Sequence, residues 1–125
     1  MRDLVNGRST PRREQAFFGV GGLLIFIHTV DDSIALGEID IAPAVIAVIA
    51  LMVAALYTAL PWFIVVVAAL FVGFTRLAGG VLHLVSLGDP SPGDYTGPLE
   101  ALGALCVLAD AVVMRQLALR RSAEA

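Results

Sequence analysis

The sequence has no lysine, one cysteine and few charged residues. Charged residues make up 15% and aromatic residues 7% of its 125 residues. Soluble domains carry about 25% charged residues, and the lone Cys106 excludes a disulfide-stabilised scaffold. What is present is apolar: 58% of the chain is hydrophobic, and the mean hydropathy is +0.88. So short a chain cannot bury this much apolar surface in its own core. The composition therefore excludes a soluble globule or a disordered chain and predicts an integral membrane protein.

The apolar residues fall into four segments, each about as long as a membrane-spanning helix. Pro61 divides a long uncharged stretch, because proline suits the first turn of a helix and breaks its interior. The run from Gly88 to Asp94 is rich in turn-forming residues. We therefore predict an all-α fold, a single antiparallel bundle of four transmembrane helices. The predicted spans are about 15–36, 39–59, 61–87 and 98–119, between tails 1–14 and 120–125.

Arginine placement predicts the orientation of this bundle. Seven of the eight basic residues lie towards the two ends of the chain: Arg2, Arg8, Arg12, Arg13, Arg115, Arg120 and Arg121. Positive residues favour the cytoplasmic side, and an even number of spans puts both termini on one side. We therefore expect both termini to be cytoplasmic and the protein to be a multi-pass protein of the cell inner (plasma) membrane.

Ionisable residues within the predicted spans form three helical stripes. Charges inside a bilayer are costly and usually face the bundle interior or a wet cavity. The stripes contain His28, Asp31 and Asp32 on span one, Arg76 and His83 on span three, and Glu100 and Asp110 on span four. A rise of 1.5 Å per residue puts Arg76 and Asp110 at equal depths of about 18 Å from the non-cytoplasmic side. The pattern predicts a funnel open to that side, with an Arg76–Asp110 pair at its floor.

These residues support two interpretations that the sequence leaves open. The polar residues either fix the register of the helices or form a catalytic acid/base site. In the second case His28 with Asp31 or Asp32 transfers a proton, Arg76 orients Asp110, and His83 and Glu100 contact the ligand. We expect neither a metal nor another cofactor, because His28 and His83 differ by about 6 Å in estimated depth and have no diagnostic ligand spacing.

Around span three and its following loop, the chain resembles the small four-helix DoxX-like bacterial membrane proteins. The residues that carry the resemblance are Arg76, Gly80, Gly88, Pro90, Pro92 and Glu100. The resemblance implies a compact four-helix bundle in the bacterial inner membrane, often with an accessory role.

Three functions are compatible with these features. The first is a site that binds or transforms a lipophilic small molecule, by isomerisation, cyclisation or epoxide opening. The second is a proton- or cation-coupled transport component, and the third is an accessory or assembly subunit of a membrane complex. The expected partners are the lipid bilayer and a lipophilic molecule, with no nucleic acid, and a homo-oligomer or a larger membrane complex fits the sequence equally well.

Overall fold

The computed structural model describes residues 10–88 and 94–111, with single positions at 116, 120, 123 and 124. Within this part every regular element is helical, which confirms the all-α prediction. The four α-helices are α1 (Thr10–Leu36), α2 (Ile41–Ala55), α3 (Trp62–Val85) and α4 (Gly97–Ala109). Short 3₁₀ turns cover Ser86–Gly88 and Asp94–Thr96. The predicted loop residues 89–93 lie outside the described part of the chain.

Helix α1 begins at Thr10, five residues earlier than predicted, so the end of the predicted N-terminal tail is helical. It ends where expected, at Leu36, because Gly37 adopts a φ of 76°. This left-handed conformation suits glycine and closes the helix by bringing the Gly37 N–H within 2.9 Å of the Ser33 carbonyl. The cap lets the chain reverse direction within four residues and enter α2.

Helix α2 is shorter than the predicted span 39–59. It has 15 residues, with Pro43 in its first turn, where the missing N–H of proline costs no hydrogen bond. It ends at Ala55, and the chain then forms a turn that leads to Pro61. The Gln15 side-chain amide donates to the Ala54 carbonyl at 2.9 Å and so satisfies one of the last carbonyls of α2.

Helix α3 has 24 residues and matches the predicted third span closely. Helix α4 has 13 residues, fewer than the predicted span 98–119, and it widens into a π-helical turn at Asp110 and Ala111. Of the rest of that predicted span, only Gln116 is described. The transmembrane length of the predicted fourth span therefore stays a prediction.

The helices form an up-down-up-down ring in the order α2, α1, α4 and α3. Helix α4 packs closely on both α1 and α3, α1 packs on α2, and α2 touches α3 only lightly. Glycines allow the close contacts: a Cβ atom on Gly103 would lie 2.5 Å from the Gly21 carbonyl oxygen, and one on Gly80 would lie 2.7 Å from the Ala101 nitrogen. The core between the helices includes Phe18, Ile25, Tyr57, Val65, Val72 and Val107.

The outside of the bundle is apolar. Val67, Phe74 and Val85 of α3 are 62%, 61% and 75% exposed, and large apolar side chains also project from the other helices. Two stretches, Arg12–Leu36 and Trp62–Gly88, are long and apolar enough to cross a membrane. About a third or less of each is buried inside the bundle. The structure thus supports two candidate spans by length and composition, and the predicted crossings by α2 and α4 stay predictions.

Candidate functional site

Polar side chains from three helices meet near the end of the bundle where α1 and α3 finish and α4 begins. We call this group the polar cluster; its members are His28, Asp31, Arg76, His83, Asp94, Thr96 and Glu100. Five of them belong to the stripes predicted from the sequence. Helical spacing puts His28 and Asp31 on the same face of α1, and the 3₁₀ turn before α4 brings Asp94 and Thr96 to the same end.

Glu100 lies at the centre of the polar cluster and is 2% exposed. Its Oε2 atom accepts a hydrogen bond from Arg76 Nη1 at 3.1 Å. Its Oε1 atom is buried and has no hydrogen-bond partner among the described residues. Gly79 lies beside this oxygen: a Cβ atom there would be 2.7 Å from Oε1. The carboxyl is therefore held by one oxygen, while the other packs close to Gly79, where a larger residue would clash with it.

His28 is 2% exposed and is oriented by a relay of hydrogen bonds. Its Nδ1 atom lies 2.7 Å from Thr96 Oγ1, and that hydroxyl donates its hydrogen to Asp31 Oδ2 at 2.7 Å. Because the hydroxyl hydrogen is used on Asp31, Thr96 Oγ1 acts as the acceptor for His28 Nδ1–H. In the neutral ring the lone pair is then on Nε2, which lies 3.8 Å from Glu100 Oε1.

His83 has the same kind of support. Its Nδ1 atom lies 2.6 Å from Asp94 Oδ1, a contact that fixes the ring and leaves Nε2 as the remaining nitrogen. The two imidazole rings lie 4.7 Å apart between centroids, at an interplanar angle of 72°. The depth difference of about 6 Å expected between the two histidines is therefore wrong.

The predicted pairing of Arg76 with Asp110 is also wrong, since Arg76 binds Glu100. The depths were counted as though Gly88 and Pro98 lay at one level. In the structure Gly97 contacts His83, so the end of α3 and the turn up to Gly88 continue about 7 Å beyond the start of α4. Because Gly80 meets Ala101 and Gly73 meets Leu108, Arg76 is level with the middle of α4 and not with Asp110. Glu100, expected only to contact the ligand near the rim, is instead the partner of Arg76.

Asp110 belongs to a second buried group, close to the other end of the bundle. The Tyr57 hydroxyl lies 2.7 Å from Asp110 Oδ2 and 3.0 Å from Glu14 Oε1. All three residues are at most 2% exposed. Tyr57 reaches this position because α2 ends two residues before it and the following turn directs the ring into the bundle, where it packs edge-on against Phe18 at 5.9 Å. Asp110 is therefore separate from the polar cluster.

The structure distinguishes the two adjacent aspartates of α1. Asp31 accepts the hydrogen bond from Thr96 and so faces the polar cluster. Asp32 is half-buried and, among the described residues, forms no hydrogen bond or ion pair. Of the seven predicted site residues, the structure thus brings together His28, Asp31, Arg76, His83 and Glu100 and leaves out Asp110. Asp32 forms no hydrogen bond in the cluster but lies close enough to act electrostatically on His28 and Glu100.

Four residues in these two groups had no predicted role: Glu14, Tyr57, Asp94 and Thr96. A signal for Glu14 was present, because it falls on the same helical stripe as the buried Phe18, Ile25 and His28. No such signal exists for the others, since they lie in turns whose course depends on the packing of the helices.

An apolar groove runs along the opposite side of α1, between that helix and α2. Its volume is about 540 Å³, and its lining includes Phe26, Val30, Ile34, Ile39, Ala47 and Val48. No member of the polar cluster lines it. A molecule in this groove would therefore contact neither Glu100 nor the histidines.

Comparisons of the chain with protein-family models, curated proteins and solved structures find no match. The resemblance to the DoxX-like proteins gains no support from them. The chemistry of the polar cluster is consequently the main guide to function.

Proposed function

We propose that this chain is a small integral membrane protein that binds or transforms a lipophilic small molecule at the polar cluster. The observation that carries the proposal is the buried Glu100 Oε1 atom, which has no hydrogen-bond partner among the described residues and lies 3.8 Å from His28 Nε2. A buried polar atom without a partner is costly and marks a place where a further group binds. A hydroxyl group of a ligand would donate a hydrogen bond to it, and the protonated carboxyl would itself donate to a carbonyl or epoxide oxygen.

The arrangement suits proton transfer at such an oxygen. Arg76 holds one oxygen of Glu100, and the Thr96–Asp31 relay holds the His28 ring, so that an acidic and a basic group face one space. One group can donate a proton to the ligand oxygen while the other removes a proton from a neighbouring atom. Isomerisation, cyclisation and epoxide opening all proceed in this way. A site closed to bulk water makes each charge interaction stronger.

The bundle offers a route from lipid to this site. Helices α2 and α3 touch only lightly, so the seam between them is the most open side of the helical ring. At the end of the bundle that holds the polar cluster, the exposed residues of α2 and α3 include Ile41, Val45 and Val81, all apolar. A lipophilic molecule could thus move from the hydrocarbon into the bundle without crossing a polar surface.

We test the membrane location and the orientation with two cysteine variants in a Cys106→Ser background. Gly88→Cys lies at the end of α3 in open space, and Thr58→Cys lies in the exposed turn between α2 and α3. If both termini are cytoplasmic, an impermeant thiol reagent labels Gly88→Cys in intact cells and labels Thr58→Cys only after permeabilisation. The reverse pattern would overturn the orientation, and recovery of the protein in the soluble fraction would overturn the membrane proposal.

The ligand proposal is tested with Glu100→Gln, matched by Glu38→Gln, which makes the same change at an exposed position. Each protein is purified in detergent, extracted with organic solvent and examined by mass spectrometry. We expect at least one lipophilic compound to be enriched about tenfold with the wild type and with Glu38→Gln relative to Glu100→Gln. Equal extracts from all three folded proteins would overturn the proposal and favour the accessory or assembly role.

A further inference from the structure

We propose that His28, His83 and Glu100 bind one divalent first-row transition-metal ion. Each of these residues comes from a different helix, α1, α3 and α4 respectively. Each offers one possible ligand atom, and the three atoms lie within 4.8 Å of one another. No metal was expected from the sequence, mainly because the two histidines were assigned to different depths. Their ring contact at 4.7 Å removes that objection.

The donor set is one that such ions use. Two histidines and one carboxylate hold zinc in several catalytic sites and non-haem Fe²⁺ in oxygenase sites, with further positions open to water or substrate. Ligand bonds of about 2.0–2.2 Å require the ligand atoms to be about 3.0–3.5 Å apart. His28 Nε2 and Glu100 Oε1 are 3.8 Å apart. Small side-chain movements would therefore complete the site.

The residues around the three candidate ligands hold them as the neighbours of metal ligands do in known sites. Histidines that bind metals almost always donate their other ring N–H to a carboxylate, carbonyl or water, which fixes the tautomer and the ring orientation. Here Asp94 contacts His83 Nδ1, and the Thr96–Asp31 relay contacts His28 Nδ1. Arg76 holds the Oε2 atom of Glu100. Each of the three candidate ligands is thus held through a polar atom other than the one that would bind the metal.

Charge and the lack of a side chain at Gly79 also favour a cation at this point. A methyl group on Gly79 would lie 2.7 Å from Glu100 Oε1 and would block that side of the oxygen. Four carboxyl groups, those of Asp31, Asp32, Asp94 and Glu100, act on the two imidazoles among the described residues, against the one guanidinium of Arg76. The Oε1 atom of Glu100 is buried and has no hydrogen-bond partner among the described residues.

The inference goes beyond the proposed function and does not require the lipophilic ligand. The metal proposal and the ligand proposal assign different roles to Glu100 and His83. Without a metal, Glu100 and His28 exchange protons and His83 is dispensable. With a metal, all three are ligands, and a ligand oxygen would occupy an open coordination position.

The test uses Co²⁺ as the probe, on tag-free protein in detergent that has been treated with a chelator. Co²⁺ is titrated while its visible absorption is followed. We expect one equivalent to bind to the wild type and to Glu38→Gln. The variants His83→Gln and Glu100→Gln each remove a ligand and should weaken binding by at least about 100-fold, while Thr96→Val should weaken it by about 10- to 100-fold. Failure of the wild type to bind, or full affinity in His83→Gln, would overturn the inference.

A second measurement needs no variant of the site. X-ray absorption of the wild-type Co²⁺ complex should show scattering from two imidazole rings, and a spectrum without imidazole would overturn the inference.

The solvent extracts of His83→Gln separate the metal proposal from the ligand proposal. A lost Co²⁺ site with an unchanged lipophilic extract would uphold the metal site and the ligand proposal independently.

Discussion

The Nε2 atom of His28 lies 3.8 Å from the Oε1 atom of Glu100, although the two residues are 72 positions apart in the chain. Both side chains are almost completely buried, and both are fixed by hydrogen bonds through their other polar atom. The pair is therefore prepared to act on a third group located between or beside the two atoms.

Arg76 and Glu100 should depend on each other for stability. Arg76→Met leaves the Glu100 carboxyl buried without its cation and should lower the free energy of unfolding by roughly 3–5 kcal/mol. The double variant Arg76→Met with Glu100→Leu removes both charges and should recover most of that loss. Unfolding in detergent, followed by circular dichroism, measures both effects. Equal losses in the single and double variants would contradict the ion pair as a structural element.

Gly79 should be needed for whatever binds at Glu100. Gly79→Ala puts a methyl group 2.7 Å from Oε1 and should reduce the Co²⁺ affinity at least about tenfold, because it occupies the space beside that oxygen. Gly88→Ala is the matched control, since an added Cβ at Gly88 has no neighbour within 4 Å. The titration described above supplies the measurement. Unchanged affinity in Gly79→Ala would place the ion elsewhere.

Tyr57 should stabilise the bundle without contributing to the polar cluster. Tyr57→Phe removes the hydroxyl that lies between Asp110 and Glu14 and should cost roughly 1–3 kcal/mol of unfolding free energy. Co²⁺ affinity should stay within about twofold of the wild type, because the hydroxyl belongs to the other polar group. Thermal unfolding and the Co²⁺ titration, performed on the same preparation, separate the two effects. A large loss of Co²⁺ affinity would show that the two groups are coupled.

The contact between α1 and α4 should tolerate no side chain at Gly103. Gly103→Ala brings a methyl group to 2.5 Å from the Gly21 carbonyl oxygen and should lower stability by roughly 1–3 kcal/mol. Gly19→Ala meets only Ala54, at an ordinary 3.9 Å, and should be neutral or stabilising by up to about 1 kcal/mol, because alanine favours the helix. Unfolding midpoints of the two variants give the comparison. Equal midpoints would show that α1 and α4 can move apart at Gly103 without a loss of stability.

The helical content, the end of α1 and the limits of α3 could be predicted because long apolar runs, Gly37 and Pro61 are local signals. The ends of α2 and α4 could not be predicted in the same way. The apolar run continues through Leu56 and Leu60 although the helix has ended. Apolar composition indicates burial or lipid contact, and it does not distinguish a helix from a turn.

The members of the polar cluster could be predicted in large part, whereas their partners could not. His28, Asp31, Arg76, His83 and Glu100 stood out because ionisable residues are rare in apolar segments. The assignment of Arg76 to Asp110 failed because the relative height of two helices depends on the loop between them. Thr96 and Asp94 gain their roles only when that loop brings them against the two histidines.

The short α2 has a consequence for the surrounding lipid. Fifteen residues rise about 22 Å, whereas the hydrocarbon layer of a typical bilayer is about 30 Å thick. If the bundle spans a bilayer as proposed, the layer must thin on the α2 side or the turn that carries Tyr57 must lie below the headgroups. α3, at about 36 Å, requires neither. The protein should therefore insert more readily into bilayers of short-chain lipids, and it should impose an uneven thickness around its circumference.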